Sequence, residues 1–186
     1  MKEYERVRKK KKRRKKRYFL KFVILVAAVA GIYYFLTSSV FDIQRITVQN
    51  NNYYTSEQLI SLAEVKTGEN LFKASVSEMK KNLLADPYVK NVKIKKRLPG
   101  EIQIIVEERK EDAAVPYGNS YIIIDGEGMV LRKTDTEPTL PLLLGMTIEN
   151  MTPGTPLKVE ENAALTDTLK LLAEVKKHDI YFKKID

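Results

Sequence analysis

Ten consecutive basic residues, Arg8 to Arg17, lead directly into a nineteen-residue stretch, Tyr18 to Leu36, in which Lys21 is the one charged side chain. No other feature constrains the chain so strongly. Eleven of those nineteen residues are Phe, Leu, Ile or Val, and their transfer into a bilayer is worth roughly −3 to −6 kcal/mol. Lys21 lies near one end, where its stem can snorkel to the interface. At about 1.5 Å per residue the stretch reaches roughly 29 Å, and continuation from Thr37 to Phe41 adds slack for tilt. A signal peptide is the competing reading. It carries an apolar region of about 7 to 15 residues that ends in small residues, whereas this one ends in Tyr33-Tyr34-Phe35-Leu36, with Thr37-Ser38-Ser39 only weakly resembling a cleavage site. An uncleaved anchor is therefore expected, with its basic flank held in the cytoplasm and everything after it outside.

Tyr18, Tyr33 and Tyr34 stand where interfacial aromatics belong. Ala27 and Gly31 make a small-xxx-small pair suited to close approach of a second helix, although an alanine-rich span also produces such pairs by chance. The basic run could neutralise nucleic-acid phosphates. Its position against the anchor makes lipid contact and topology the simpler account, and no nucleic-acid partner is expected.

The net charge of +9 belongs to this tail: residues 1–21 carry +11 and the remaining 165 carry −2. Absence of cysteine excludes disulfides, thiolate chemistry and cysteine-based metal sites.

Beyond the anchor the pattern predicts an α+β architecture. Phe41 to Val48 reads as a strand closed by Asn50-Asn51-Asn52. Thr55-Ser56-Glu57-Gln58 has capping-box spacing ahead of Leu59, Ile60, Leu62 and Ala63, which predicts a short helix ending before Gly68. Ser75 to Glu78 repeats that logic ahead of Met79, Leu83 and Leu84, and Asp86-Pro87 stops the second helix. Residues 91–109 read as a hairpin about Leu98-Pro99-Gly100, with Val92, Ile94, Ile102, Ile104 and Val106 on one face and charged residues on the other. Two helices on one face of three strands bury the apolar sides of all five elements.

Phe41-x-Ile43-x-x-Ile46-x-Val48, Gly68-Glu69-Asn70-Leu71-Phe72, Asp86-Pro87-Tyr88-Val89, Val92-x-Ile94-x-x-Arg97-Leu98-Pro99 and Ile102-x-Ile104-x-Val106-x-Glu108-Arg109 occur in that order. Together they resemble the polypeptide-transport-associated (POTRA) domain of the FtsQ type, found in the bacterial division proteins FtsQ and DivIB. Tyr121 to Val130 is similar to the hairpin that opens the second, β-rich domain of that family. Members often carry an aromatic before the proline of the hairpin turn, where this chain has Leu98. The departure concerns packing at the turn.

The expected organisation is a cytoplasmic tail over 1–17, a transmembrane helix over 18–40, a POTRA domain over 41–110 and the start of a mostly β domain over 111–186. Within the last, Leu140 to Gly145 suits a short buried strand, Pro153 to Pro156 a loop, and Val159 to Lys177 a helix with Ala164, Leu165, Leu169, Leu172 and Val175 on one face. Ile180-Tyr181-Phe182 reads as the start of a further strand. The resemblance implies further strands in a longer protein.

Catalytic constellations are not evident. His178, the single histidine, stands among charged neighbours at a helix end. The adjacent pairs Glu107-Glu108 and Glu160-Glu161 point to opposite faces of extended chain. Asp125-Gly126-Glu127-Gly128 lacks the ligand run of a calcium loop and reads as a hairpin turn. Asn150-Met151-Thr152 matches a glycosylation sequon but is followed by proline. No enzyme activity, cofactor, metal or small-molecule substrate is expected.

What remains is binding. The resemblance implies a single-pass scaffold at the division septum. Its partners would be DivIC- or FtsB-like and FtsL-like proteins, and septal peptidoglycan synthases indirectly, with the family's main contact surface in strands beyond Asp186. A POTRA-bearing secretion accessory and a membrane-tethered wall-enzyme subunit are the alternatives. Lys93, Lys95, Lys96 and Arg97 are candidates for steering an acidic partner to a sheet edge. Equally, they could form a solvated face that keeps the edge soluble.

Overall fold

A computed structural model describes residues 2–177 and 184–185. His178 and the segment Ile180-Tyr181-Phe182 fall outside the described residues. The first helix, α1, spans Lys2–Leu36, and its portion Arg17–Leu36 is long and apolar enough to cross a membrane. The helix was expected to run to residue 40 but stops at Leu36. The hydroxyls of Thr37 and Ser38 turn back onto the carbonyls of Tyr33 (2.9 Å) and Phe35 (2.7 Å). The chain then leaves through a 3-10 turn, Ser39–Phe41.

Three strands and two helices follow: β1 (Arg45–Gln49), α2 (Ser56–Leu62), α3 (Val76–Leu84), β2 (Val89–Arg97) and β3 (Glu101–Glu108). Both sequence caps form: Thr55 and Gln58 make the reciprocal capping box, and Ser75 accepts from the Glu78 amide. The sheet order is β1-β3-β2, with β3 parallel to β1 and antiparallel to β2. Because strand side chains alternate, Ile102, Ile104 and Val106 of β3 lie on one face with Ile46, Val48, Val92 and Ile94. That face packs on Leu59, Ala63, Met79 and Leu83 of the two helices, with Ile43, Val65 and Leu71 closing the core.

The β2–β3 turn is locked to the linker that enters the sheet. The Gly100 carbonyl accepts from the amides of Gln44 (2.8 Å) and Arg45 (3.2 Å). A Cβ at this position would lie 2.2 Å from the Asp42 carbonyl oxygen. Gly100→Ala is therefore expected to pry the turn from the linker and cost about 1–3 kcal/mol. Urea unfolding followed by circular dichroism would measure it.

A second sheet has the order β10-β7-β4-β5-β6, from β4 (Ala113–Tyr117), β5 (Ser120–Ile124), β6 (Val130–Thr134), β7 (Leu142–Leu143) and β10 (Lys184–Ile185). A small β8–β9 pair (Ile148–Asn150, Lys158–Val159) and α4 (Asn162–Lys177) complete it. Ala113, Val115, Ile122, Ile124, Val130 and Leu143 pack on Leu165, Leu169 and Leu172 of α4 to form a separate core. The Tyr121 hairpin is thus the β5–β6 pair, with β4 added on its other side.

Candidate protein-interaction face

Strand β2 is an edge of the first sheet among the described residues, so one row of its backbone N–H and C=O groups is available to an added strand. Its pleat divides the four basic candidates. Lys93, Lys95 and Arg97 lie opposite Ile105, Gln103 and Glu101, on the face turned away from the helices. Lys96 lies opposite Ile102, on the helix side at the strand's end. All four are exposed. The outer face therefore reads in rows across the strands: Arg45, Glu101, Arg97; then Thr47, Gln103, Lys95; then Gln49, Ile105, Lys93.

Gln103 sits in the middle of this face, only 6% exposed, and its Oε1 has no hydrogen-bond partner. A buried carbonyl oxygen without a donor is costly, on the order of 1–3 kcal/mol. Further along, Asn50, Asn52, Asn91, Lys93, Ile105 and Glu107 line an open cleft of about 500 Å³. The cleft thus joins amides, a lysine, a carboxylate and an aliphatic side chain.

At the far end of β3, Glu107 and Glu108 do diverge. Glu107 faces Lys90 (3.6 Å). The Glu108 carboxylate instead accepts from the amides of Asn52 (2.6 Å), Tyr53 (2.7 Å) and Tyr54 (3.1 Å). That clasp holds the turn after β1 so that Tyr53 stacks on Tyr88, with centroids 4.0 Å apart and planes 6° from parallel. The Tyr54 hydroxyl donates to Asp86 (2.9 Å) and the Tyr88 hydroxyl to Glu111 (2.6 Å). Burial, then those carboxylate hydrogen bonds, push both phenols well above their ordinary range, so they act as fixed donors.

Tyr88 begins a polar junction between the two sheets. Glu111 accepts from Arg132 through Nε (2.7 Å) and Nη2 (3.2 Å) as well as from Tyr88. Arg109 pairs with Asp125 and reaches Glu127 (3.1 Å), which also holds Lys90 (2.7 Å). The Asp125-Gly126-Glu127-Gly128 segment is the β5–β6 turn: Asp125 Oδ1 accepts from the amides of Glu127 (2.9 Å) and Met129 (2.8 Å). Among the described residues no group of three or more His, Cys, Asp or Glu is placed to hold a metal.

The Arg132 hydrogen bonds hold the Glu111 carboxyl below its ordinary value, against the opposing effect of burial and with help from Tyr88. Lys90 and then Arg109 do the same for Glu127. A depressed folded-state pKa contributes stability that is complete above the unfolded value and lost as pH falls through the folded one. The thermal midpoint is therefore expected to hold steady down to about pH 5 and to drop below the ordinary glutamate value near 4.5. Glu111→Gln should flatten part of that acid limb while lowering the midpoint at pH 7. Scanning calorimetry of both proteins across pH 3–7 checks the sign.

The junction residues Glu108, Arg109, Glu111, Asp125 and Arg132 were not singled out as a group in the sequence. Ala27 and Gly31 lie on an exposed stretch of α1, and a Cβ at Gly31 would meet nothing within 4 Å.

A membrane-type helix leading straight into two helices on a β1-β3-β2 sheet defines a small α+β domain carried behind one apolar helix, and known proteins match that domain. The family model for the FtsQ-type POTRA domain matches residues 41–109, which are the first sheet with α2 and α3. Residues 41–109 are an FtsQ-type POTRA domain.

Among full-length relatives, the chain is similar to the cell division protein DivIB of Clostridium acetobutylicum. They are 38% identical over 117 residues, which cover 62% of this chain and 47% of the relative. It is 29% identical over 150 residues to DivIB of Clostridium botulinum, covering 78% and 59% respectively. Similarity extends to the cell division protein FtsQ of Syntrophotalea carbinolica, at 24% over 111 residues, covering 59% and 39%. The chain is DivIB-like, and it spans about half the length of the DivIB relatives it matches.

Proposed function

We propose that this chain is a single-pass membrane scaffold of the bacterial division machinery. On this reading α1 crosses the membrane with the basic tail in the cytoplasm, and the POTRA domain stands outside at the septum. There the chain binds DivIC- or FtsB-like and FtsL-like proteins and through them helps control septal peptidoglycan synthesis. The observation that carries the reading is an FtsQ-type POTRA domain directly behind one membrane-type helix, in a chain whose relatives are named for cell division.

The mode of action is recognition. The β2 edge offers main-chain hydrogen bonds, and Lys93, Lys95 and Arg97 favour an acidic segment. A photocrosslinking residue placed at Lys93 or Lys95 in dividing cells is expected to give adducts with other division proteins. Adducts confined to secreted polypeptides in transit would replace this reading with that of a secretion accessory.

A further inference from the structure

We infer that the POTRA pole nearest the helix is itself a membrane-binding surface, seated in the lipid interface rather than held clear of it in water. The inference rests on reading α1 as membrane-spanning, and three independent observations carry it.

The first is the way α1 ends. A helix leaves its last four carbonyls without intrahelical partners, and in water solvent satisfies them. Here protein donors reach all four. Thr37 donates to Tyr33 through its amide (3.0 Å) and hydroxyl (2.9 Å), and that hydroxyl also reaches Tyr34 (3.3 Å). Ser38 donates to Phe35 through its amide (3.2 Å) and hydroxyl (2.7 Å). The fourth, Leu36, accepts from Asn70 Nδ2 at 3.1 Å, a donor supplied from 34 residues away. Complete satisfaction by protein is what a helix end needs where water is scarce.

The second is distance. Residues 37–40 could span at most about 14 Å fully extended, and the chain does not extend. Phe35 packs edge to face on Phe41, and Phe41 on Phe72, both at 5.2 Å between centroids. Asn70, 8% exposed, joins the domain to the helix end through Leu36 and Ser38 while its Oδ1 accepts from the Phe72 amide (3.1 Å). A helix in the bilayer therefore brings this pole to the surface with it.

The third is what the pole shows. Val40 is 55% exposed, Phe72 45% and Leu98 67%. Leu98 belongs to the β2–β3 turn, which Gly100 holds against Asp42 and Gln44 of the linker. Single exposed apolar residues need no explanation. Three on separate segments at one pole, continuous with an apolar helix, form the profile of a surface sunk about 5–10 Å into the headgroup and acyl boundary. Arg45 and Arg97, at the strand ends beside this turn and on either side of Glu101, are positioned for lipid phosphates. Asp42, Glu69 and Glu101 share the pole, so apolar insertion rather than net charge supplies the attraction.

The chain contains no tryptophan, which makes a single introduced one a clean reporter. The full chain carrying Leu98→Trp is reconstituted into phosphatidylcholine–phosphatidylglycerol vesicles, with or without lipids brominated near the top of the acyl chains. Its emission is expected to fall by roughly half or more in brominated lipid, as for a side chain at the acyl boundary. Asn91→Trp, about 20 Å away along β2, is expected to ignore the bromine and remain open to aqueous iodide. Phe72→Trp should follow Leu98→Trp. If the protein floats with the vesicles but Leu98→Trp behaves like Asn91→Trp, the seated pole is wrong while the anchor stands. If the protein does not float with them, the anchor reading fails and this inference with it.

Discussion

Asp125→Ala is expected to destabilise the protein by about 3–5 kcal/mol, because the change strands a buried charge. Asp125 is 4% exposed, pairs with Arg109, and holds the β5–β6 turn by accepting from the Glu127 and Met129 amides. Alanine removes both roles. It leaves the Arg109 guanidinium with Glu127, whose side chain is more than half exposed, as its remaining carboxylate. Urea unfolding followed by circular dichroism measures the loss. Asp125→Asn separates the roles, since its amide oxygen can still accept from the turn but carries no charge. A loss below about 1 kcal/mol in Asp125→Ala would put the pair in the class of surface ion pairs and remove the junction as a structural element.

The second large effect belongs to Ile104, fully buried at the centre of β3 between Val48 of β1 and Ile94 of β2. Ile104→Ala should cost about 2–5 kcal/mol, the transfer of the lost methyl groups plus the cavity left behind. Its neighbour Ile105 points to the outer face and is only half-buried, so Ile105→Ala should cost much less. Equal losses at the two positions would contradict the register. The same urea titration, run on both variants, decides it.

That register was legible because strand side chains alternate with period two, and Val92, Ile94, Ile102, Ile104 and Val106 could be placed on one face directly. The helices were legible through their caps, which are local chemistry. Non-local facts were hidden. The parallel pairing of β1 with β3 joins segments more than fifty residues apart. Strand β4 was missed because Ala113-Ala114-Val115-Pro116-Tyr117 combines small residues with a proline, which weakens any strand pattern. Asn70 stood within a recognisable motif, yet its role as the donor to the end of α1 depends on a fold that returns it there. The junction draws on Tyr88, Arg109, Glu111, Asp125 and Arg132, whose spacing follows no period. The four-residue basic cluster looked like one patch in sequence, and the pleat sets Lys96 on the other face.

These findings combine into one mechanical picture. Asn70 and the aromatic contacts fix the POTRA domain to its helix, and β3 continues through Arg109 and Glu111 into a polar junction with the second sheet. Such an arrangement fixes the direction of the β2 edge relative to α1.

The central claim is that this scaffold works in cell division, and the most direct measurement is live-cell imaging of the full-length protein with a fluorescent tag on its N-terminus. A band at the division site, appearing as constriction begins, is the predicted result. Uniform fluorescence around the membrane throughout the cell cycle would contradict it.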